Sequence, residues 1–206
     1  ILSIDYSKAM ALPGVMAVAT HDDFPSLSSE AVVAGEGTSS LLDLARNVLA
    51  DDKVLYHGHA ILAIAATSQA LAERAVDLVE VEYEVLKPVL DILSATAEGA
   101  PILHGDMMTT GLSETPTTAS NVAARTEFKK GDVEAGFAEA DLIIERDFVT
   151  PTVHQGYIEP HATTVQYDED GQSMVWCSTQ GHFDVRASIA KLLDVSLNKL
   201  KVVASE

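Results

Sequence analysis

The chain has 206 residues, of which 47% are hydrophobic and 21% charged, a composition typical of a globular protein of one or two domains. Its 31 acidic and 13 basic residues give a net charge of −18, which would repel nucleic acid and anionic membranes, so neither is expected as a partner. The single cysteine excludes an internal disulfide and a cysteine-ligated iron–sulfur cluster within this chain, and it fits a reducing, cytoplasmic compartment.

Both ends of the sequence look interrupted. The first residue is not an initiator Met, and no signal-peptide pattern follows it. The last residues break off directly after an apolar run. We therefore expect a fragment of a larger protein. The sequence has no stretch of about 18 apolar residues free of charges, so no membrane-spanning helix is expected.

The first half of the sequence alternates short strand and helix patterns. The run Ala60–Ala66 is continuously apolar, which is typical of a strand buried on both faces. Thr67 or Ser68 can cap the helix that follows. The predicted elements are a helical turn at 7–12, a strand at 15–20, an exposed loop at 26–40, a helix at 41–49, and the strand–helix–strand unit 60–66, 69–79 and 79–85.

The second half begins with an irregular segment rich in Thr, Ser and Pro at 109–120, which is the best linker candidate. Asp132 is a suitable N-cap for the helix that follows it. The hairpin turn Asp168–Gly171 ends in a glycine that would supply a positive φ. The predicted elements are strands at 121–128 and 141–150, a helix at 133–139, hairpin strands at 163–168 and 173–178, a helix at 181–194 and a strand at 200–203.

Histidines offer two candidate sites. His57 and His59 are one residue apart on a predicted strand, so they would point to one face and could share a metal ion, or else play a structural role. His154, Glu159 and His161 could form a general acid–base cluster, or their polar groups could satisfy buried backbone. Both alternatives stay open at the level of sequence.

Gln180 is the most informative single residue. It follows one predicted strand and precedes a helix, and an amide at the carboxyl end of a strand can donate a directed hydrogen bond to a ligand. Spacing alone leaves a site role and an ordinary loop role equally open. Cys177 lies in an apolar run, where desolvation disfavours the thiolate, so we predict packing rather than catalysis.

Five ordered segments carry a family resemblance that spans nearly the whole chain. They are 1–18, 52–60 with 72–83, 130–141, 154–161 with its Ile-Glu-Pro-His, and 178–203 with its Ser-Thr-Gln-Gly start. Together they resemble the large, molybdenum-cofactor-binding subunit of xanthine dehydrogenase/aldehyde oxidase-type hydroxylases. The resemblance implies an α+β fold: an incomplete α/β-hammerhead domain at 1–110, a linker at 111–120, and the first part of a molybdenum-cofactor-binding domain at 121–206.

The resemblance also implies an activity, cofactors and partners. Such subunits hold a molybdopterin-type molybdenum cofactor and hydroxylate a purine, an aldehyde or a related substrate with oxygen from water. The electrons pass to iron–sulfur clusters and FAD on other domains or subunits. The implied partners are therefore the remainder of the large subunit and the FAD and iron–sulfur domains.

Among site residues, the resemblance assigns Gln180 alone to the cofactor. It matches the family glutamine that hydrogen-bonds the apical oxo ligand of molybdenum. Glu159 matches a family carboxylate that we interpret as structural, and His57-Gly58-His59 departs from the commoner Gly-Gln or Gly-Glu pair. The family's Gly-Gly-Phe-Gly loop and catalytic glutamate would follow Glu206, so no catalytic residue is assigned and we expect the chain to be inactive alone.

Two other classes of function remain as alternatives. The acidic surface and small α/β unit also suit a non-enzymatic domain that docks a partner protein. A hydrolase using His154, Glu159 and His161 ranks last, because the sequence offers it no clear nucleophile.

Overall fold

The structure is a computed structural model that describes residues 1–27, 31–34, 37–159 and 161–205, with the backbone alone at 31–34 and 37–39. It divides into a first unit, Ile1–Val85 with Glu159–Glu206, and a second unit, Leu86–Ile158. The elements of the first unit are β1 (Ser3–Asp5), α1 (Ser7–Met10), β2 (Val15–Thr20), β3 (Ala31–Ala34), β4 (Gly37–Ser40), α2 (Leu41–Val48), β5 (Leu62–Ala66), α3 (Gln69–Val76), β6 (Glu80–Glu82), β7 (Thr163–Gln166), β8 (Ser173–Cys177), α6 (His182–Leu192) and β9 (Leu200–Ala204). The second unit contains α4 (Ile92–Thr96) and α5 (Val133–Glu139).

The strands of the first unit form several small sheets. β1 pairs with β6, β2 with β5 and β3 with β4, each antiparallel. A further sheet has the order β7–β8–β9. The predicted strand–helix–strand unit is therefore correct in its elements, but its two strands lie in different sheets, because each pairs with a strand from the start of the chain.

The strand β5 is half-exposed, so the prediction of a strand buried on both faces is wrong. Leu62, Ile64 and Ala66 are partly buried, whereas Ala63 and Ala65 are exposed. This is the two-residue period of a strand with one solvated face. Alanine hides the alternation in the sequence, because its small apolar side chain is tolerated on either face.

Three other predicted segments differ from the structure. Part of the predicted loop at 26–40 forms the β3–β4 pair, while residues 28–30, 35 and 36 lie outside the described residues. The predicted strands at 121–128 and 141–150 are absent from the described second unit, where the one pairing is a parallel bridge between Thr110 and Ala124. A strand requires a neighbour for its backbone groups, and the pattern of apolar residues does not supply one.

The predicted helices are present, and side-chain caps explain where several of them begin. Ser40, Ser68 and Asp132 each accept a hydrogen bond from the backbone N–H three residues further along the chain. These bonds satisfy donors that the first turn of a helix leaves without partners. The helix α3 ends at Val76 rather than at the predicted Val79.

The hairpin between β7 and β8 is confirmed, but its glycine has a different role. Gly171 is not among the residues with positive φ. The Asp168 Oδ1 atom accepts hydrogen bonds from the N–H groups of Asp170 and Gly171, at 3.1 and 2.7 Å. A Cβ atom at position 171 would lie 2.4 Å from Asp168 Oδ2. A side chain at position 171 would therefore require the Asp168 carboxylate to shift, whereas the backbone conformation does not demand glycine.

A small apolar core joins α6 to the sheet of β8 and β9. These two strands are parallel, in register from Ser173 opposite Leu200 to Cys177 opposite Ala204. The buried residues are Val175, Ala190, Leu200 and Val202, with Cys177, Val185 and Ile189 packed against them. The predicted packing role of Cys177 is confirmed. Phe183 on α6 and Leu193, which directly follows this helix, are exposed.

His57 and His59 lie in a turn, so the prediction that both sit on a strand is wrong. His59 is 5% exposed, and its ring stacks on Tyr56 with centroids 4.5 Å apart. Its Nδ1 accepts from the Leu55 N–H at 3.2 Å, which leaves the proton on Nε2 to be donated to the Arg46 carbonyl at 2.7 Å. Both ring nitrogens are committed to backbone groups, which supports the structural interpretation of His59.

Replacing His59 by alanine should destabilise the chain by about 2 kcal/mol, because it leaves the partly buried Leu55 N–H and Arg46 carbonyl without this partner. The matched control is His57→Ala in the same turn, where the side chain is exposed, and it should change stability by less than about 0.5 kcal/mol. Urea unfolding followed by circular dichroism measures both variants. Equal effects would contradict the proposed role of His59.

Asp91 begins α4 through two contacts with Ser94. The Ser94 hydroxyl donates to Asp91 Oδ2, and the Ser94 backbone N–H donates to Asp91 Oδ1 at 2.8 Å. These bonds lower the pKa of the Asp91 carboxyl from its ordinary value of 3.8. The hydrogen bond from the Ser94 hydroxyl is the largest cause, and the bond from the Ser94 backbone N–H is the second. The ionised Asp91 cap therefore stabilises the folded chain above pH 3.8, and this stabilisation is lost as the pH falls through the lowered pKa.

An NMR titration of the Asp91 carboxyl carbon should give a midpoint below 3.8 in the native chain. Ser94→Ala removes the hydroxyl donor and should move the pKa of Asp91 back towards that value, while the backbone bond still holds it slightly lower. A titration identical in both proteins would show that the hydroxyl does not act on the carboxylate.

Candidate functional site

Gln180 lies in the four-residue loop Ser178–Gly181, which joins the carboxyl end of β8 to the start of α6. Its side chain is exposed, and its amide has no hydrogen-bond partner among the residues that the structure describes. The strand–helix placement expected from the sequence is therefore observed. In α/β units with parallel strands, ligands bind beyond the carboxyl ends of the strands, which is where this amide lies.

Backbone hydrogen bonds hold the loop at both ends. The Ser205 N–H donates to the Cys177 carbonyl at 3.0 Å, which extends the pairing of β9 with β8. The Val185 N–H donates to the Gly181 carbonyl at 2.9 Å and closes the first turn of α6. Between them, the Gly181 N–H donates to Thr179 Oγ1 at 3.1 Å. The loop is thus short and restrained, while the amide of Gln180 has no partner in the part of the chain that the structure describes.

A depression of about 440 Å³ lies nearby, between α6 and β9. Phe183, Leu200 and Val202 form its apolar wall, and Arg186 and Lys201 provide its positive charge. Gln180 does not line it. The side chain of Gln180 is exposed and lies outside this depression.

Arg186 fixes α6 against the segment that leads into β9. Its Nε donates to the Leu200 carbonyl at 2.7 Å, and its Nη2 donates to the Leu197 carbonyl. No motif in the sequence marks Arg186 as a structural residue. The sequence does contain one indication of this role. Arg186 lies on a predicted helix close to the apolar residues Val185 and Ile189, and a charge in apolar surroundings needs a specific partner.

Arg186→Ala should destabilise the chain by about 2 kcal/mol, because two charge-assisted hydrogen bonds to backbone carbonyls are lost. Arg74→Ala on α3 is the matched control, since Arg74 is exposed and should contribute little. Thermal and urea unfolding of both variants measure the difference. A variant at Arg186 as stable as the control would contradict this role.

The acid–base cluster of His154, Glu159 and His161 stays a prediction. All three residues are exposed, and His154 belongs to the second unit, whereas Glu159 and His161 belong to the first. His154 Nδ1 accepts a hydrogen bond from the Gly156 N–H at 3.0 Å, which is a local contact with exposed backbone. Across the described ranges, no group of three or more His, Cys, Asp or Glu residues is arranged to hold a metal ion.

Two domain families match the chain in succession. The a/b hammerhead domain of aldehyde oxidase and xanthine dehydrogenase matches residues 1–87, and the molybdopterin cofactor-binding domain matches residues 114–206. The chain belongs to the aldehyde oxidase and xanthine dehydrogenase family. The two matches confirm the predicted α+β fold, in which a hammerhead domain is followed by a molybdenum-cofactor-binding domain.

Relatives in the aldehyde oxidase and xanthine dehydrogenase family resemble the whole chain. A probable hypoxanthine oxidase of Escherichia coli O157:H7 is 32% identical over 98% of the chain, which covers 23% of that protein. The large molybdopterin subunit of nicotinate dehydrogenase from Eubacterium barkeri is 30% identical over 98% of the chain and 43% of its own length. Quinoline 2-oxidoreductase from Pseudomonas putida 86 aligns with a TM-score of 0.78 and 27% identity, covering 100% of the chain and 25% of that protein.

The chain spans about a quarter of the length of the first relatives it matches, at 23% and 25%. Its relatives include xanthine dehydrogenases and other molybdopterin oxidoreductases, so the chain is part of an oxidoreductase family. None of the helices in the described residues has the length and hydrophobicity needed to cross a lipid bilayer.

Proposed function

We propose that this chain provides the hammerhead domain and the first part of the cofactor-binding domain of a molybdenum hydroxylase large subunit. The boundaries in this proposal are 1–110 for the hammerhead domain, 111–120 for the linker and 121–206 for the cofactor-binding part. The order of the two matching domain families supports it. The substrate class is a purine, an aldehyde or a related compound, as the names of relatives that act on hypoxanthine and nicotinate suggest.

Within this function, Gln180 donates a hydrogen bond to the molybdenum cofactor. The residues present fit such a group: the amide is exposed, has no partner in the described part of the chain, and lies at the carboxyl end of β8. When bound, the cofactor supplies the redox centre at which a substrate carbon gains oxygen from water. The amide would hold and orient the bound cofactor by donating a hydrogen bond to it, without taking part in bond formation.

The proposed partners follow from the same function. They are the remainder of the large subunit and the domains or subunits that carry FAD and iron–sulfur clusters, which accept the electrons. We propose a cytoplasmic location, because the single cysteine fits a reducing compartment. Nucleic acid and membranes are not proposed as partners, since a net charge of −18 would repel both.

Gln180→Ala in the complete, cofactor-loaded enzyme should lower turnover by about 10–100-fold, because a contact that tunes a metal centre is lost. Folding should be unaffected, since the side chain is exposed. The matched control is Gln166→Ala, which removes an exposed glutamine on β7 and should leave turnover within about twofold. Steady-state kinetics and metal analysis of the purified enzymes measure both variants.

A silent Gln180→Ala variant with full molybdenum content would contradict the proposed role of Gln180. It would also favour the alternative of a domain that contributes surface rather than chemistry. Reduced turnover with normal melting temperature, in contrast, would support the proposal, because a folding defect would lower both.

A further inference from the structure

Thr179 immediately precedes Gln180, and the structure gives the two side chains different environments. Thr179 is partly buried, whereas Ser178 and Gln180 on either side of it are exposed. The Thr179 Oγ1 atom accepts a hydrogen bond from the Gly181 N–H at 3.1 Å. This bond spans residue 180, because its donor and acceptor belong to the residues on either side.

We propose that Thr179 is a positioning residue for Gln180: its hydroxyl oxygen holds the backbone around residue 180 so that the Gln180 side chain leaves the loop in one direction. This inference rests on the proposed function of Gln180. The amide itself has no partner in the described part of the chain, so its direction depends on the backbone that carries it.

The other hydrogen bonds of the loop do not supply this restraint. The bond between the Ser205 N–H and the Cys177 carbonyl ends before the loop begins, and the bond from Val185 to Gly181 starts after Gln180. Neither bond involves the two peptide groups that flank Gln180. Within the described residues, the hydroxyl of Thr179 is the acceptor that links one side of Gln180 to the other.

Loss of this bond would allow the loop to adopt other conformations. If Gln180 acts in only one conformation of the loop, its contribution to turnover falls with the fraction of molecules in that conformation. Thr179→Val keeps the shape of the side chain but removes the acceptor oxygen. Thr179→Ser keeps the oxygen and loses a methyl group, which makes it the matched control.

The first experiment measures the hydrogen bond in the 206-residue chain. Amide hydrogen exchange of Gly181, followed by NMR, should be about fivefold faster in Thr179→Val than in the native chain, since the amide loses its acceptor. Thr179→Ser should restore slow exchange. Equal exchange in all three proteins would overturn the proposal, because the hydroxyl would then not restrain the loop.

The second experiment measures turnover in the complete, cofactor-loaded enzyme. Thr179→Val should lower kcat by about threefold to tenfold with KM nearly unchanged, because substrate binding is not involved. Thr179→Ser should recover most of the loss. In a Gln180→Ala background, Thr179→Val should have no further effect, since there is no amide left to position.

The two experiments separate failure of this inference from failure of the proposed function. If Gln180→Ala lowers turnover but Thr179→Val is silent, or adds its full effect in the double variant, the positioning role is wrong and the role of Gln180 stands. If Gln180→Ala is silent, the proposed function fails. The exchange of Gly181 then decides whether Thr179 restrains the loop, with faster exchange in Thr179→Val supporting that restraint.

Discussion

Two neighbouring parallel strands require a crossover connection, and this constraint governs the region around Gln180. β8 and β9 run parallel, so the chain must return along α6 before β9 begins. The loop after β8 is therefore placed at the carboxyl end of the strand pair. The core of Val175, Leu200 and Val202 against Ala190 fixes the helix, and Arg186 binds the carbonyls that precede and begin β9. The position of the candidate site depends on this arrangement.

Polar side chains in this protein act mainly as supports for the backbone. His59 binds one donor and one acceptor of the main chain, and Asp168 accepts from two consecutive N–H groups in the β7–β8 turn. Gln180 differs, because its amide is exposed and has no partner in the described part of the chain. A polar group without a structural partner is a better candidate for binding than one whose hydrogen bonds are already satisfied.

The second unit shows what a strand-like sequence does without a neighbour. The segment 141–150 has the apolar content of a strand, but no strand forms there, and Leu142, Phe148 and Val149 are 74%, 89% and 94% exposed. Side chains of this kind stabilise a protein when other elements cover them. These three side chains are left largely uncovered by the described residues of this unit, so the sequence pattern and the structure differ here for a physical reason.

The sequence by itself determined the features that depend on near neighbours along the chain. The helices begin at Ser40, Ser68 and Asp132 because each cap bonds a backbone group three residues away, and the strands β2 and β8 follow from their apolar runs. The position of Gln180 between a strand and a helix was also readable from sequence. Tertiary structure alone decided the pairing of β5 and β6 with earlier strands, the commitment of His59 to Arg46 and Leu55, and the restraint of α6 by Arg186. Those contacts join residues that are distant in sequence or that meet across a turn. The periodicity of apolar residues does not indicate which of them will meet in space.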